Sequence, residues 1–176
     1  MQKNWYMVYT KPKCEKKVAI LFAKRKIENF CPLNCKQIKH FRKNKFLYEP
    51  LFTSYVFVKV EESDLPIFKQ IEHVVSLVYW KGKPAIINEQ EIQAIKEFAT
   101  DHSDITLKRC KINQNAEPRN IDESSYTLDG KILMIKKRSF SISLPSIGFT
   151  LSAPMGVETL GNFEHAFNDN TKLLLQ

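Results

Sequence analysis

Cysteine and histidine, the commonest zinc ligands, each occur four times in this chain. Cys31 and Cys35 are close in sequence, but on an extended strand four residues span about 13 Å, too far for one zinc ion. Pro32 lies between them and disfavours a tight chelating turn. The histidines are scattered and show neither an H-x-x-H nor an H-x-E pattern. We therefore predict reduced cysteines, no metal site and no cofactor.

The side chains that enzymes use in catalysis also lack a recognisable arrangement. The sequence contains no G-x-S-x-G motif, no phosphate-binding P-loop, no G-x-G-x-x-G motif and no recognisable pair of carboxylates. Only 5 glycines occur in 176 residues, so loops that could cradle a phosphate are scarce. We predict that the chain is not an enzyme.

Positive charge is concentrated at the start of the chain. Residues 1–48 contain 13 Lys or Arg and 2 Asp or Glu, whereas residues 101–176 contain 9 of each kind. Such asymmetry is typical of a protein that binds a polyanion. A solvated, solubilising surface is the alternative interpretation, and composition leaves both open.

Hydropathy along the chain bears on its location. No apolar run approaches the roughly 18–20 residues that span a membrane, and residues 1–5 lack the apolar region of a secretory signal. We therefore expect a cytoplasmic chain, in which disulfides are disfavoured.

Periodicity and turn residues predict alternating strands and helices in the first hundred residues. The predicted elements are a strand at 5–10, a helix at 13–28, a hairpin of 30–41 and 46–49 with its tip at 42–45, a central strand at 51–60, a short helix at about 65–71, a strand at 74–79 and a helix at 89–100. Asn88 is expected to cap the last helix, with Glu91 completing a capping box. This order predicts an α+β sandwich, in which helices cover one mainly antiparallel sheet.

The second part of the chain has a different pattern. Residues 113–125 are polar, which is typical of a linker. Period-two alternation then predicts short strands at 132–135, 140–144 and 147–152, with a turn at 136–138. Several short strands close together indicate a small β-barrel.

Four segments resemble, in the same order, parts of the NusG N-terminal domain family. Residues 5–12 (WYMVYTKP) resemble its opening strand, 30–33 (FCPL) the strand after its first helix, 49–60 (EPLFTSYVFVKV) its central strand motif and 78–85 (VYWKGKPA) the segment before its last helix. The resemblance covers residues 4–100, and the chain is similar to the specialised RfaH and UpxY-type members.

The second domain of that family is a KOW barrel, and residues 128–132 (LDGKI) resemble the middle of its motif. Typical KOW segments have a glycine-bearing turn shortly before, but residues 113–129 contain no glycine. We therefore predict a degenerate KOW-like β-barrel. The predicted organisation is an N-terminal domain at 1–103, an irregular linker at 104–125, the small β domain at 126–155 and a tail at 156–176.

The resemblance implies a hydrophobic docking surface for a helical hairpin at the clamp of the largest RNA polymerase subunit. The matching residues are Leu51, Phe52, Tyr55 and Phe57, with Tyr9 and Trp80 at the rim. Tyr55 and Phe57 share one face of the strand, whereas Val56 and Val58 share the other. The β-branched face suits the core, which leaves the aromatic face for a partner. The alternative is that the aromatic residues form the domain's own core.

The resemblance also implies contact with the non-template DNA strand of the transcription bubble. The candidate residues are Lys11, Lys13, Lys17, Lys24, Arg42, Lys43 and Lys45. Lys11 and Lys17 match positions that approach DNA in RfaH-like members, and ammonium groups on flexible stems suit phosphate contacts. Simple solvation is the alternative for each of them.

Together these features predict a transcription elongation or antitermination factor that binds RNA polymerase and suppresses pausing and termination. We expect it to act on particular operons, such as those for surface polysaccharides. One alternative is a general NusG factor whose C-terminal domain couples polymerase to a ribosomal protein or a termination factor. The other is a basic nucleic-acid-binding module unrelated to transcription.

Overall fold

The computed structural model describes residues 2–39, 44–110, 125–128, 131–136 and 139–154. Its helices are α1 (Glu15–Lys24) and α2 (Glu89–Asp101), with a 3-10 helix at Glu62–Gln70. Its strands are β1 (Asn4–Thr10), β2 (Glu28–Phe30), β3 (Leu33–Lys39), β4 (Asn44–Pro50), β5 (Tyr55–Val60), β6 (Val74–Leu77), β7 (Tyr79–Trp80), β8 (Lys83–Pro84), β9 (Ile86–Ile87), β10 (Thr106–Arg109), β11 (Ser125–Leu128), β12 (Lys131–Lys136), β13 (Ser139–Leu144) and β14 (Phe149–Pro154).

The first sheet is built around β1. Its strand order is β2-β5-β1-β6, with β9 also pairing β1, and these pairings are antiparallel. Tyr6 lies opposite Val58, and Tyr9 lies opposite Tyr55. β3 and β4 form a separate two-stranded hairpin. This combination of helices and antiparallel strands confirms the predicted α+β class.

The central strand β5 begins at Tyr55 rather than at residue 51. Residues 51–54 form a turn instead, in which the Tyr55 N–H donates to the Phe52 carbonyl over 3.2 Å. Ser54 has a φ of 66°, a left-handed conformation that interrupts a strand. Pro50 accordingly ends β4 and does not open β5.

The first helix is shorter than the predicted range of 13–28. It ends in a Schellman turn, in which the Lys26 N–H donates to the Ala23 carbonyl over 2.9 Å and the Ile27 N–H to the Phe22 carbonyl over 3.0 Å. Lys26 has a φ of 59° and Lys13 a φ of 62°. A right-handed helix cannot include either residue, so both predicted ends were wrong.

The β-branched face of the first sheet is covered by α1 and the 3-10 helix. Val56 and Val58 are fully buried in one cluster with Phe22 of α1 and Phe68 of the 3-10 helix. The two phenylalanine rings meet edge to face, with 5.4 Å between their centroids. The prediction that these valines face the helices is confirmed.

The opposite face of the first sheet is covered by α2 and by a second sheet. This C-terminal sheet has the order β10-β14-β13-β12-β11 and is antiparallel. Ile142 lies opposite Leu151, and Leu144 lies opposite Phe149. These four side chains pack in one cluster with α2 and with Phe52 of the first sheet's turn. The predicted alternation therefore buries its apolar side against the N-terminal part of the chain.

Other parts of the second half differ from the sequence prediction or lie beyond the description. β10 falls within the segment predicted as an irregular linker and pairs with β14. Residues 145–148 form a turn, closed by the Gly148 N–H, which donates to the Leu144 carbonyl over 2.9 Å. Ile147 therefore precedes β14 and does not begin it. Most of 113–125, parts of 128–132 and 136–138, and the tail at 156–176 lie outside the described residues.

The start of α2 follows the prediction in one respect and corrects it in another. The Asn88 side-chain oxygen accepts a hydrogen bond from the Gln90 N–H over 3.0 Å, which confirms the N-cap. Glu91 does not complete a capping box, because its carboxylate is buried and hydrogen-bonded to Ser146 of the C-terminal sheet's turn.

Candidate functional site

The residues that the motif predicts as a docking surface lie together on one side of the first sheet. We call Leu51, Phe52, Tyr55 and Phe57 the aromatic face. The Phe57 ring meets Phe52 edge to face at 5.2 Å and stacks with Phe30 at 6.1 Å. Leu51 is 5%, Phe52 1% and Phe57 0% exposed. In this structure the aromatic face is therefore largely buried.

Hydrogen bonds from three neighbouring segments fix the turn at 51–54. The Leu51 N–H donates to the Pro32 carbonyl over 2.7 Å, and the Ser54 carbonyl accepts from the Thr10 N–H over 2.8 Å. The Ser54 N–H donates to Oε1 of Glu15 over 2.6 Å. The turn is thus tied to β1, to α1 and to the link between β2 and β3, and these contacts fix Leu51 and Phe52 within the aromatic face.

The Tyr9–Tyr55 pair forms the accessible edge of this face. The two residues are opposite each other on β1 and β5, and their ring centroids are 5.3 Å apart. Tyr9 is 36% exposed and Tyr55 is half-buried. Trp80, the other predicted rim residue, is half-buried on the small β7–β8 hairpin, opposite Lys83.

The C-terminal sheet supplies the cover over the rest of the face. The Phe149 ring meets Phe52 edge to face at 5.6 Å. At the end of α2, the His102 ring stacks on Phe98 at 4.4 Å and meets the Phe140 ring at 5.1 Å. The alternative interpretation, in which the aromatic residues belong to the chain's own core, therefore describes the packing in this structure.

One polar contact lies within this apolar cover. Glu91 is 1% exposed, and its carboxylate accepts hydrogen bonds from the N–H of Ser146, over 3.0 Å, and from the Ser146 hydroxyl. Burial raises the pKa of the Glu91 carboxyl above its ordinary value, while the two hydrogen bonds from Ser146 act in the opposite direction. Burial is the larger effect, so the protonated, neutral form of Glu91 is more favourable in this site than it would be in water.

A second polar contact ties the start of the C-terminal segment to β3. The Asn34 Nδ2 donates to the Ile105 carbonyl over 2.7 Å, and the Ile105 N–H donates to Asn34 Oδ1 over 3.0 Å. The Asp104 N–H also donates to the Cys35 carbonyl over 2.8 Å. We call the Asn34–Ile105 pair the amide clamp. Through these hydrogen bonds, residues 104 and 105 pack with the first hundred residues, which we call the N-terminal packing unit.

The predicted DNA-contacting residues lie at the surface wherever the structure describes them. The exposed members are Lys11, Lys13, Lys17, Lys24 and Lys45. Lys17 is 3.8 Å from Glu72, and both side chains are mostly exposed, so this ion pair contributes little. Arg42 and Lys43 lie outside the described residues. Exposure is required by both interpretations of these lysines, solvation and phosphate contact.

The surroundings of Cys31 bear on metal binding and on thiol reactivity. Across the described residues, no group of three or more His, Cys, Asp or Glu side chains is placed to hold a metal ion. Burial raises the pKa of the Cys31 thiol to about 12, and the nearby Glu15 carboxylate adds to this effect. The thiol is therefore protonated at neutral pH and is a poor nucleophile.

Sequence reasoning missed the two buried acidic residues, although their spacing carried a signal. Glu15 precedes Val18 by three residues and Phe22 by seven. Glu91 likewise precedes Phe98 by seven. On a helix such spacing places a residue on the same side as its apolar neighbours. A carboxylate there must find donors inside the protein.

The described residues form an α+β sandwich with an aromatic sheet face, several exposed lysines and a cover made by its own second sheet. None of the described helices has the length and apolar character needed to cross a membrane. The sequence matches the family described as transcription termination factor NusG over residues 3–96, which is more than half of the chain. The chain therefore belongs to the NusG family, whose members are transcription factors, and the resemblance seen in the sequence is confirmed.

Solved structures add a fold comparison. The chain is similar to a structure described as "Domain interaction in Thermotoga maritima NusG", with a TM-score of 0.50 and 18% sequence identity. The match covers 88% of this chain and 94% of that chain. At this identity the likeness supports the fold. A search of curated proteins found no match.

Proposed function

We propose that this protein is a transcription elongation and antitermination factor that binds the clamp of RNA polymerase through the aromatic face. The observation that carries the proposal is the convergence of the motif residues on one side of the sheet, with the Tyr9–Tyr55 pair at its accessible edge. Rigid aromatic side chains give a large contact area at a small cost in rotamer entropy, as interface anchors require. Family membership supports RNA polymerase as the class of partner.

Binding through Phe52 and Phe57 requires the C-terminal sheet to move away, because both side chains are buried beneath it. A partner that binds only the uncovered state shifts the population toward that state. Its apparent affinity is lowered by the fraction of molecules that are uncovered. The cover thus controls when the factor engages polymerase.

Once bound, the factor shifts the conformational equilibrium of polymerase in the same way, by binding one state better than the others. A protein that bridges the mobile clamp across the DNA channel stabilises the conformation to which it binds best. If that conformation is the elongating one, entry into paused and terminating states is suppressed. No chemistry beyond binding is needed.

We infer that the factor serves particular operons, with surface-polysaccharide operons among the candidates. The inference is supported by the excess of 13 basic over 2 acidic residues in 1–48 and by the missing glycine turn of the KOW-like segment. A specialist needs its own DNA contacts, which the exposed lysines would supply. The released C-terminal sheet would then be free to recruit a ribosomal protein or a termination factor.

The polymerase proposal is tested with the purified chain and stalled elongation complexes on a template with a strong pause site. The wild type should bind and shorten the pause. Tyr55→Ala should weaken binding by about 1–3 kcal/mol, because it removes an accessible aromatic anchor from the proposed interface. Phe46→Ala removes an aromatic residue that is 42% exposed on the β3–β4 hairpin, and it should have no effect.

Two results would contradict the proposal in different ways. A folded Tyr55→Ala variant that binds as tightly as the wild type would remove the aromatic face from the interface. A wild-type chain that binds free RNA or duplex DNA tightly but ignores polymerase would favour a nucleic-acid-binding module unrelated to transcription.

The DNA contact is tested by the salt dependence of retention on the elongation complex. Replacing Lys11 or Lys17 by Gln should reduce the slope of log affinity against log salt by about 0.7 for each single-strand phosphate contact that is lost. Lys108→Gln, at an exposed position of β10, is the charge-matched control. An unchanged slope would mean that these lysines are simply solvated and do not contact DNA.

A further inference from the structure

We propose that Glu15 is a positioning residue for the aromatic face, acting on it from the opposite side of the sheet. The inference rests on the proposed function for the identity of the partner. Its structural basis, the contact between Glu15 and the turn at 51–54, stands independently of that partner.

Glu15 is a buried carboxylate in a place where burial needs compensation. It is 3% exposed, on the side of α1 that packs against the first sheet. A buried charge is unfavourable unless hydrogen bonds or opposite charges replace its solvation. The Ser54 N–H supplies one such hydrogen bond, over 2.6 Å, and a charged acceptor strengthens it.

The helix itself supplies the second source of compensation. Glu15 lies in the first turn of α1, where the partial positive charge of the helix N-terminus favours a carboxylate. The N-cap residue, Cys14, offers no side-chain hydrogen bond to this end of the helix. The carboxylate is thus held between the helix end and the turn, and it fixes the position of one relative to the other.

Ser54 is the residue through which this contact reaches the aromatic face. Its φ of 66° is a left-handed conformation in a residue other than glycine, so the conformation must be held by its neighbours. Both polar backbone atoms of Ser54 are occupied: the N–H by Glu15 and the carbonyl by the Thr10 N–H. Thr10 directly follows Tyr9, so the hydrogen bonds through Ser54 also connect Glu15 to the backbone next to this rim residue.

The turn sets the relation between the covered and the accessible parts of the aromatic face. Phe52, before the left-handed residue, packs against Phe149 of the cover. Tyr55, directly after it, pairs with Tyr9 at the edge. A partner that contacts both rings needs their relative placement, and Glu15 determines that placement without touching either surface. Its loss should therefore weaken binding while the sandwich itself stays folded.

The test compares Glu15→Gln and Glu15→Ala in the full-length chain with Glu72→Gln, which changes an exposed acidic residue next to α1. Amide hydrogen exchange is followed residue by residue by NMR, and affinity for the elongation complex is measured in parallel. Glu15→Gln keeps an acceptor but loses its charge, so the Ser54 amide should exchange about five- to tenfold faster. Affinity should fall by a similar factor, and Glu15→Ala should amplify both effects.

The distribution of faster amide exchange along the chain decides between the two outcomes: a local increase supports the proposal, and a uniform increase overturns it. Faster exchange confined to Ser54 and Tyr55, with an unchanged melting temperature, is the expected result. An even rise across β1 and β5 would mean that Glu15 only stabilises the fold. Wild-type exchange at Ser54 in a folded Glu15→Gln variant would also reject the proposal, and this variant decides the question if Glu15→Ala does not fold.

The two proposals fail separately. If the wild-type chain does not bind polymerase, the proposed function is wrong, and the exchange measurement alone still decides whether Glu15 positions the turn.

Discussion

At the scale of single residues, burial separates side chains that the motif groups together. Tyr55 and Phe57 point to the same side of β5, yet Phe57 is fully buried while Tyr55 keeps an accessible edge. The alternation of the strand shows that they share a side, but it carries no information on what covers that side. The two residues should therefore respond differently to truncation.

Phe57→Ala should destabilise the folded chain by about 3–5 kcal/mol, because it leaves a cavity beside Phe52 and Phe30. Tyr55→Ala should cost much less, since its side chain is only partly buried. Urea unfolding of both variants gives the comparison. Equal stabilities would show that Phe57 is not part of a well-packed core.

Glu91 should make stability depend on pH. Burial raises the pKa of its carboxyl above the ordinary value of 4.5, so the folded state holds a proton that the unfolded state has already released. This stabilisation is fully present below the unfolded pKa and is lost as the pH rises through the folded pKa. Glu91→Gln should remove this dependence when the free energy of unfolding is measured from pH 4 upward.

The matched control is Glu62→Gln, which changes an exposed carboxylate at the start of the 3-10 helix. It should leave the pH dependence of the wild type intact. If Glu91→Gln shows the same slope as the wild type, the carboxylate does not titrate in the cover.

At the scale of elements, hydrophobic periodicity predicts which helices and strands form, and left-handed residues explain why some of their predicted ends were wrong. Hydrophobic periodicity identified both α-helices, the central strand and the β13–β14 hairpin. It misplaced the ends at Lys13, Lys26 and Ser54, which are all left-handed without being glycine. Their side chains give no signal of that conformation, because surrounding hydrogen bonds impose it. β10 was missed because its pairing partner, β14, imposes a strand on a segment with little pattern of its own.

Lys26→Gly should stabilise the chain by about 1 kcal/mol, because glycine adopts the left-handed position of the Schellman turn without a steric penalty. Ala23→Gly, at an exposed position inside α1, is the opposite case and should destabilise by about 0.5–1 kcal/mol. Thermal and urea unfolding measure both. A destabilised Lys26→Gly variant would mean that the lysine side chain contributes more than its backbone costs.

At the scale of the whole molecule, the amide clamp joins Ile105, just beyond the predicted boundary at residue 103, to β3. Ile105 is 3% exposed and belongs to the same cluster as α2 and the aromatic face. The sequence could indicate that both the aromatic face and the C-terminal strands are apolar on one side. It could not show that they cover each other, since that pairing depends on the tertiary arrangement. One sequence also carries no signal for the long-range Asn34–Ile105 pair.

A chain truncated after residue 110 should therefore be more stable than one truncated after residue 103. The shorter chain leaves the buried Asn34 side chain without the Ile105 backbone, at a cost of about 1–3 kcal/mol. Asn34→Ala should remove most of the difference between the two chains. Melting curves provide the measurement, and identical curves would show that residues 104 and 105 do not belong to the N-terminal unit.

The contact between Phe52 and Phe149 has a genetic consequence. In the proposed function Phe52 packs against Phe149 in the covered state and against polymerase in the bound state, so a substitution at Phe52 should weaken both contacts. A substitution at Phe149 should weaken the internal contact alone. Hyperactive alleles selected for stronger readthrough should therefore accumulate in β13, β14 and their connecting turn, while loss-of-function alleles accumulate in β5 and the turn before it. A genetic screen would then distinguish the strands that form the internal cover from those that bind polymerase, without a binding measurement.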